Sequence, residues 1–319
     1  MKIETAQAVR QNVSAFWEKG PAGIRAMIHA RIASTEGIQS AVKTIQNITI
    51  ERETRKTSLS LYTPQESGHG EKAPILFIHG GAWVIRGSGH ENLARYLCAQ
   101  TGRIVVAPDY LNALDDPING KFPGPLEQCY DALLWIQRDP INNEPDKGII
   151  LVGDSAGGNM CSGLSLMAYD RNGPKISAQV LINPAPDLTG EGTLTRQDNN
   201  EIAITAENTE TVAKTARRDL VRWYATQYLN NLQDAQNPYA SPILGNPGHF
   251  PPTFCVLSQE DRPLCEDGRE FVGKLQTANV PVKIYEQPGG HLGPLVAKVA
   301  DIAIPPLQAA VSFINQQPG

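Results

Sequence analysis

The chain predicts an α/β fold: a mostly parallel central sheet flanked by helices. Three observations carry that expectation. Short continuous apolar runs, "APILFIHG", "GRIVVAPDY", "GIILVGDS", "AQVLINPAP" and "PTFCVLSQED", close in Gly, Pro, Asp or Ser, as strands buried on both faces do. Segments of helical character lie between them, near 88–100, 123–138 and 156–171. Buried strands alternating with helices imply parallel pairing through helical crossovers, and such sheets gather ligands at the carboxyl ends of their strands.

The elements follow in order. Residues 5–18 and 22–33 read as two helices parted by Gly20-Pro21, with Val9, Val13, Phe16 and Trp17 at helical spacing. From about residue 45 the period changes: "NITIERET" and "TSLSLYTP" alternate apolar and polar residues, as antiparallel strands with one wet face do. After the alternating strands and helices, a mostly polar, helix-forming segment over 188–236 interrupts the pattern. Within it Val212, Ala216, Leu220 and Tyr224 recur every four residues and give one apolar face. A helix packed on the domain and a lid over a site fit this segment equally well. A last helix, "GREFVGKLQTAN", and a last short strand, "VPVKIYEQ", precede "PGGHLGP". The expectation is one domain over all 319 residues, with cap elements from about 1–45 and 188–236.

Composition narrows the function classes. The apolar fraction of 41% and charged fraction of 19% are ordinary for a globular chain with a sizeable core. A formal net charge of −5 gives no footing for nucleic acid or an anionic membrane surface, which select clustered Lys and Arg. The N-terminus lacks the apolar run of a signal peptide, and no stretch is apolar and long enough to span a bilayer. Five cysteines, an odd number with no C-x-x-C pair, argue against a disulfide framework or zinc site. A cytoplasmic protein is expected.

"GDSAGG" is a G-x-S-x-G match that follows the strand "GIILV" and opens a helix-compatible run, the context a nucleophile elbow demands. Such a turn lifts the hydroxyl of Ser155 clear of the backbone, and side chains at Gly153 and Gly157 would collide within it. A serine hydroxyl needs a base, usually a histidine held by a carboxylate, and at an elbow of this kind acid and base follow in chain order. Of six histidines only His249 and His291 lie beyond Ser155. His291 sits in a loop directly after a strand and is the expected base, whereas His249, in a Pro-rich loop, reads as a surface residue. For the acid, Asp261 at the end of "PTFCVLS" is favoured over Glu260, Glu266, Asp267 and Asp187. "HGGAW" supplies backbone donors after a strand, so Gly80, Gly81 and the N–H of Ala156 are expected to bind an oxyanion.

The set "HGGAW", "DYLNALDDP", "GDSAGGN", the Asp261 loop and "PGGH" resembles the hormone-sensitive-lipase-like esterases, the HGGG-type branch of the α/β-hydrolase fold, over roughly 45–315. The resemblance implies a triad of Ser155, Asp261 and His291, an oxyanion hole of Gly80, Gly81 and Ala156, and a cap over an acyl pocket. It implies cleavage of short- to medium-chain carboxylic esters with no metal or organic cofactor. Four departures stand out: Ala82 replaces the third glycine, Tyr110 to Asp115 replace a Y-R-L-A-P-E stretch, "EDRPLCEDG" is spaced differently around the acid, and Leu292-Gly293-Pro294 follow the histidine. Trp83 and Tyr110 are candidate pocket residues, and the expected partner is a small ester, with helices and edge strands near the C-terminal end able to support a homodimer. An amidase or deacetylase would use the same triad, and a ligand receptor on this fold would have lost its histidine.

Overall fold

The computed structural model describes residues 40–52, 54–65, 72–84, 90–138, 145–190, 207–261, 264–291 and 300–317, with Glu4, Gln7, Gln11, Ala203 and Thr205. The two helices expected over 5–18 and 22–33 otherwise lie outside the described residues, as do 191–202 of the interrupting segment.

Strands β1 (Thr44–Arg52) and β2 (Arg55–Thr63) form an antiparallel hairpin. Then come β3 (Ile75–Ile78), α1 (His90–Thr101), β4 (Val105–Asp109), α2 (Gly124–Arg138), β5 (Ile149–Asp154), α3 (Ala156–Asp170) and β6 (Ile176–Ile182). The chain continues with α4 (Thr209–Tyr228), β7 (Thr253–Ser258), α5 (Leu264–Thr277), β8 (Val282–Gln287) and α6 (Ala300–Asn315). The eight strands lie in one sheet in the order β1-β2-β4-β3-β5-β6-β7-β8. The pairs β1·β2 and β2·β4 are antiparallel and all others parallel, so the mostly parallel sheet is observed.

Why the apolar runs become strands shows in their two-residue period. Leu76 and Ile78 enter one core cluster with Leu126 and Leu133 of α2, Leu164 of α3 and Phe271 of α5. Ile75 and Phe77 point to the other face, against Leu93 and Leu97 of α1 and Phe313 and Ile314 of α6. A run buried on both faces therefore needs apolar residues at every position, and each such side chain contributes about 1.5–3 kcal/mol on burial. The hairpin is fastened to this body by Arg55, whose Nε and Nη2 donate to Asp131 of α2 at 2.8 and 3.1 Å.

Helix α4 is packed on the body at its C-terminal end. Ala225, Tyr228 and Leu229 join the main core, the Phe122 N–H donates to the Tyr228 carbonyl at 2.8 Å, and Arg218 pairs with Asp267 of α5. Of the four residues expected to form its apolar face, Tyr224 packs near Val84 and Ala113. Helix α5 begins at Leu264, earlier than the sequence suggested, because the Cys265 N–H already bonds the Asp261 carbonyl at 2.8 Å. His249 closes a short 3-10 turn and stacks on Tyr169 with ring centroids 3.8 Å apart. All five cysteines are buried and free.

Candidate active site

The strand order brings the motifs together. From β3 the chain moves to one side to form β4, then crosses to the other side for β5; where order reverses in this way, the carboxyl ends of the strands open a crevice. Ile78 lies in register with Gly153. The "HGGAW" loop after β3 and the serine turn after β5 therefore leave the sheet side by side, and β6, β7 and β8 deliver their own ends next in line.

Ser155 adopts φ 52° and ψ −118° between the buried β5 and the first turn of α3. A non-glycine residue there carries about 1–3 kcal/mol of strain. The turn is held by its own N–H, which donates to the Ile182 carbonyl at 2.8 Å. A Cβ at Gly153 would strike the Gly157 carbonyl, and one at Gly157 the Ile78 carbonyl, so both glycines are required as the sequence implied.

The Ser155 Oγ lies 2.9 Å from His291 Nε2, and His291 Nδ1 lies 2.6 Å from Asp261 Oδ2. Asp261 is 8% exposed, and its turn is pinned by its N–H to the Ser258 carbonyl at 3.0 Å. The Glu260 N–H donates to the Gly289 carbonyl at 3.0 Å and ties the acid turn to the histidine loop. Two of the rival carboxylates are engaged elsewhere: Asp187 accepts the Thr189 N–H and hydroxyl at 2.8 and 2.7 Å, and Asp267 pairs with Arg218. Such a line permits proton transfer from hydroxyl to imidazole, with the carboxylate facing the cation that forms.

The donors near Ser155 differ from expectation in one residue. The Gly80 N–H donates to Asp154 Oδ1 at 3.0 Å, so it is turned into the protein and is not available to a substrate. Gly80 is thus corrected from oxyanion donor to loop anchor, and a Cβ there would strike Asp154. The chain beyond it turns through positive φ at Gly81 (121°), Ala82 (54°) and Trp83 (60°). No acceptor for the Gly81 or Ala82 N–H is found among the described residues. Ala156 opens α3, where first-turn N–H groups have no intrahelical partner. Gly81, Ala82 and Ala156 form the available set, and Ala82 is the residue the sequence reading passed over.

Beneath the loop lies a fully buried carboxylate. Burial opposes ionisation of Asp154, but His90, the Gly80 N–H and His79 outweigh it and hold the carboxyl below the usual carboxylate range. His90 Nε2 stands 3.5 Å from Asp154 Oδ2, and the His79 and Tyr110 rings stack at 4.2 Å. The Tyr110 hydroxyl donates to the His79 carbonyl at 2.6 Å. Tyr110 and Trp83 are each 2% exposed, and Trp83 stacks on Tyr228 at 5.2 Å. Both expected pocket residues are corrected to core supports of the loop, since neither has surface left to offer a substrate. Loop 110–116, which departs from the family's stretch, is held within itself by Asn112 Nδ2 donating to Asp115 at 2.5 Å and to α2 by the Leu111 N–H donating to Gln128 Oε1 at 2.8 Å.

Residues that sequence reading missed entirely are Asp154 and Asn183. Asn183 Nδ2 donates to Asp261 Oδ2 at 3.2 Å from the end of β6. The available signal was a polar residue directly at the carboxyl end of a buried strand. Among the described residues no group of three or more His, Cys, Asp or Glu could hold a metal ion, and no helix is long and apolar enough to cross a membrane.

A family model described as alpha/beta hydrolase fold matches residues 75–293. An AB hydrolase superfamily protein of Schizosaccharomyces pombe is 30% identical over 264 residues, covering 77% of this chain and 72% of its own. An esterase of Fusarium pseudograminearum is 30% identical over 221 residues, covering 67% and 63% respectively. Across eight of the curated relatives the chain spans 59–74% of their own lengths. Among solved structures, the Pyrobaculum calidifontis esterase superposes with a TM-score of 0.76 at 26% identity, covering 97% of both chains.

Proposed function

Because the chain belongs to the alpha/beta hydrolase fold family, we propose that it is a carboxylic ester hydrolase that cleaves short- to medium-chain esters through an acyl-enzyme on Ser155. The observation that carries this reading is the unbroken line Ser155 Oγ, His291, Asp261, with spacings of 2.9 and 2.6 Å. The esterase names of the Fusarium and Pyrobaculum proteins support it.

Ser155 attacks the ester carbonyl while His291 Nε2 takes the hydroxyl proton. Asp261 keeps the His291 ring in orientation and stabilises the imidazolium. The N–H groups of Gly81, Ala82 and Ala156 hold the tetrahedral oxyanion, each donor worth about 2.7–4 kcal/mol of transition-state stabilisation. Collapse releases the alcohol, which takes its proton from His291. Water, deprotonated by His291, then attacks the acyl group and regenerates Ser155. Helix α4, whose Tyr228 backs Trp83 beside the donor loop, serves as part of the cap together with the N-terminal segment. Five free cysteines support residence in the cytoplasm. A homodimer would use β8, the last strand in the sheet order, where Ile284 is 40% exposed.

Hydrolysis of p-nitrophenyl acetate, butyrate, octanoate and dodecanoate beside Ser155→Ala tests the proposal. Activity that falls with chain length and is lost about 10⁴-fold or more in the variant is expected. A wild-type protein that is inert and also fails to react with a fluorophosphonate would overturn it. Matched p-nitroanilides in the same assay separate an esterase from an amidase.

A further inference from the structure

The carboxyl ends of β6, β7 and β8 carry three buried polar residues that the reaction above does not use: Asn183, Ser258 and Gln287, at 1%, 0% and 5% exposure. Ser258 and Gln287 are register partners, and Asn183 follows Ile182, which is paired with Val256. Gln287 Nε2 donates to Ser258 Oγ at 3.2 Å, Ser258 Oγ donates to Asn183 Oδ1 at 3.2 Å, and Asn183 Nδ2 donates to Asp261 Oδ2 at 3.2 Å. The receiving oxygen is the one that faces His291 Nδ1 at 2.6 Å.

We propose that Asn183, its amide locked by Ser258 and Gln287, is a positioning residue that fixes the charge and orientation of Asp261 toward His291; the proposal rests on the triad reading given above. The direction of the chain follows from the inventory of donors. A carboxylate only accepts, so it must be faced by the NH₂ side of Asn183. The carbonyl side then needs a donor, and Ser258 has one proton to give. The amide of Gln287 occupies one of the two Ser258 lone pairs, and the hydroxyl proton is directed at the Asn183 carbonyl oxygen. A line of oriented dipoles thus ends on the oxygen that must balance the imidazolium, in a setting where buried hydrogen bonds are strong. Asn183 also sits at φ 47°, a conformation Asn and Asp tolerate better than other side chains. Its backbone N–H donates to the Val256 carbonyl at 2.9 Å, and the preceding carbonyl, Ile182, accepts the Ser155 N–H at 2.8 Å. One strand end therefore holds the nucleophile through its backbone and the acid through its side chain.

The test is the pH profile of kcat/KM for p-nitrophenyl butyrate in wild type, Asn183→Asp, Ser258→Ala and Ser155→Ala. Asn183→Asp keeps shape and backbone but sets a second acceptor against Asp261. The pair then shares a proton at low pH, where the new carboxyl still donates, and loses it as pH rises. Its profile is expected to gain a descending alkaline limb that wild type lacks, with kcat lowered at least tenfold at pH 8 and KM changed less than twofold. Ser258→Ala, which frees the amide to rotate, is expected to lower kcat severalfold and to raise the pH of the acid limb. An Asn183→Asp profile that is merely scaled down, with its shape unchanged, overturns the proposal. Should Asn183→Asp fail to fold, an unmoved acid limb in Ser258→Ala overturns it instead. If Ser155→Ala is as active as wild type, the esterase reading itself has failed; if that variant is dead while the other profiles keep their shape, only the role of Asn183 falls.

Discussion

Ala82 occupies a backbone conformation that suits glycine, with φ 54°, at a cost of about 1–2 kcal/mol. Its functional contribution is an N–H group, which glycine would offer equally. Ala82→Gly is therefore expected to raise stability by up to about 1 kcal/mol after the entropy of the unfolded glycine is counted. Chemical denaturation measures that gain, and kcat for an acetate ester should stay within about twofold of wild type. A loss of stability would mean that the side chain of Ala82, packed near Val84 and Ala113, matters more than its strain. Individual residues also show what a sequence discloses. Ser155, Asp261 and His291 were readable because chemistry demands those types in chain order at strand ends. Gly80 and Ala82 were not told apart, because a string of letters does not say where an N–H points; the bond to buried Asp154 decides it. Trp83 and Tyr110 were misjudged for a related reason, since proximity in sequence to a site does not fix which way a ring is buried.

Among the elements, α4 and α5 meet through an ion pair with a cost. Burial pushes the Asp267 carboxyl up to about 6 despite the nearby Arg218, with Asp187 and Glu266 adding to the rise. A carboxyl raised in the folded state lends stability that is complete below its unfolded pKa and lost as pH climbs through the folded one. For Asp267 that window runs from 3.8 to about 6. Asp267→Asn keeps an acceptor for Arg218 and removes the titration. Its Tm is expected to match wild type near pH 4 and to exceed it increasingly toward pH 7, which differential scanning calorimetry across that range would check; a constant offset would refute the assignment. The inner strands were legible from their apolar runs, the β1–β2 hairpin from alternation, and α2 and α3 from helical segments set between the runs. The interrupting segment was legible only as helix-forming, because a four-residue apolar repeat states that a face is covered without stating by what. Tyr228 on Trp83 supplies that answer at one end of α4.

Over the whole molecule, one sheet separates two bodies of apolar packing. Ile136 belongs to one cluster and Ile150 to the other, and both are fully buried. Ile136→Val and Ile150→Val should each cost about 1 kcal/mol, and the double variant should show their sum within about 0.5 kcal/mol. Urea titration of the four proteins would reveal coupling through the sheet as a departure from that sum. The parallel core was foreseeable because its central strands lie in short, nearly continuous apolar runs; which strand neighbours which was not, since order depends on crossovers that composition leaves open. The burial of the cysteines reaches beyond stability. Cys98, Cys129, Cys161 and Cys255 have thiols raised by desolvation, and Cys265 is 1% exposed. The folded protein should therefore ignore maleimides that react with thiolates. A single cysteine introduced on the surface would be the sole attachment point for a fluorophore or a resin, so the native chain can be labelled or immobilised at one chosen position without first removing its own thiols.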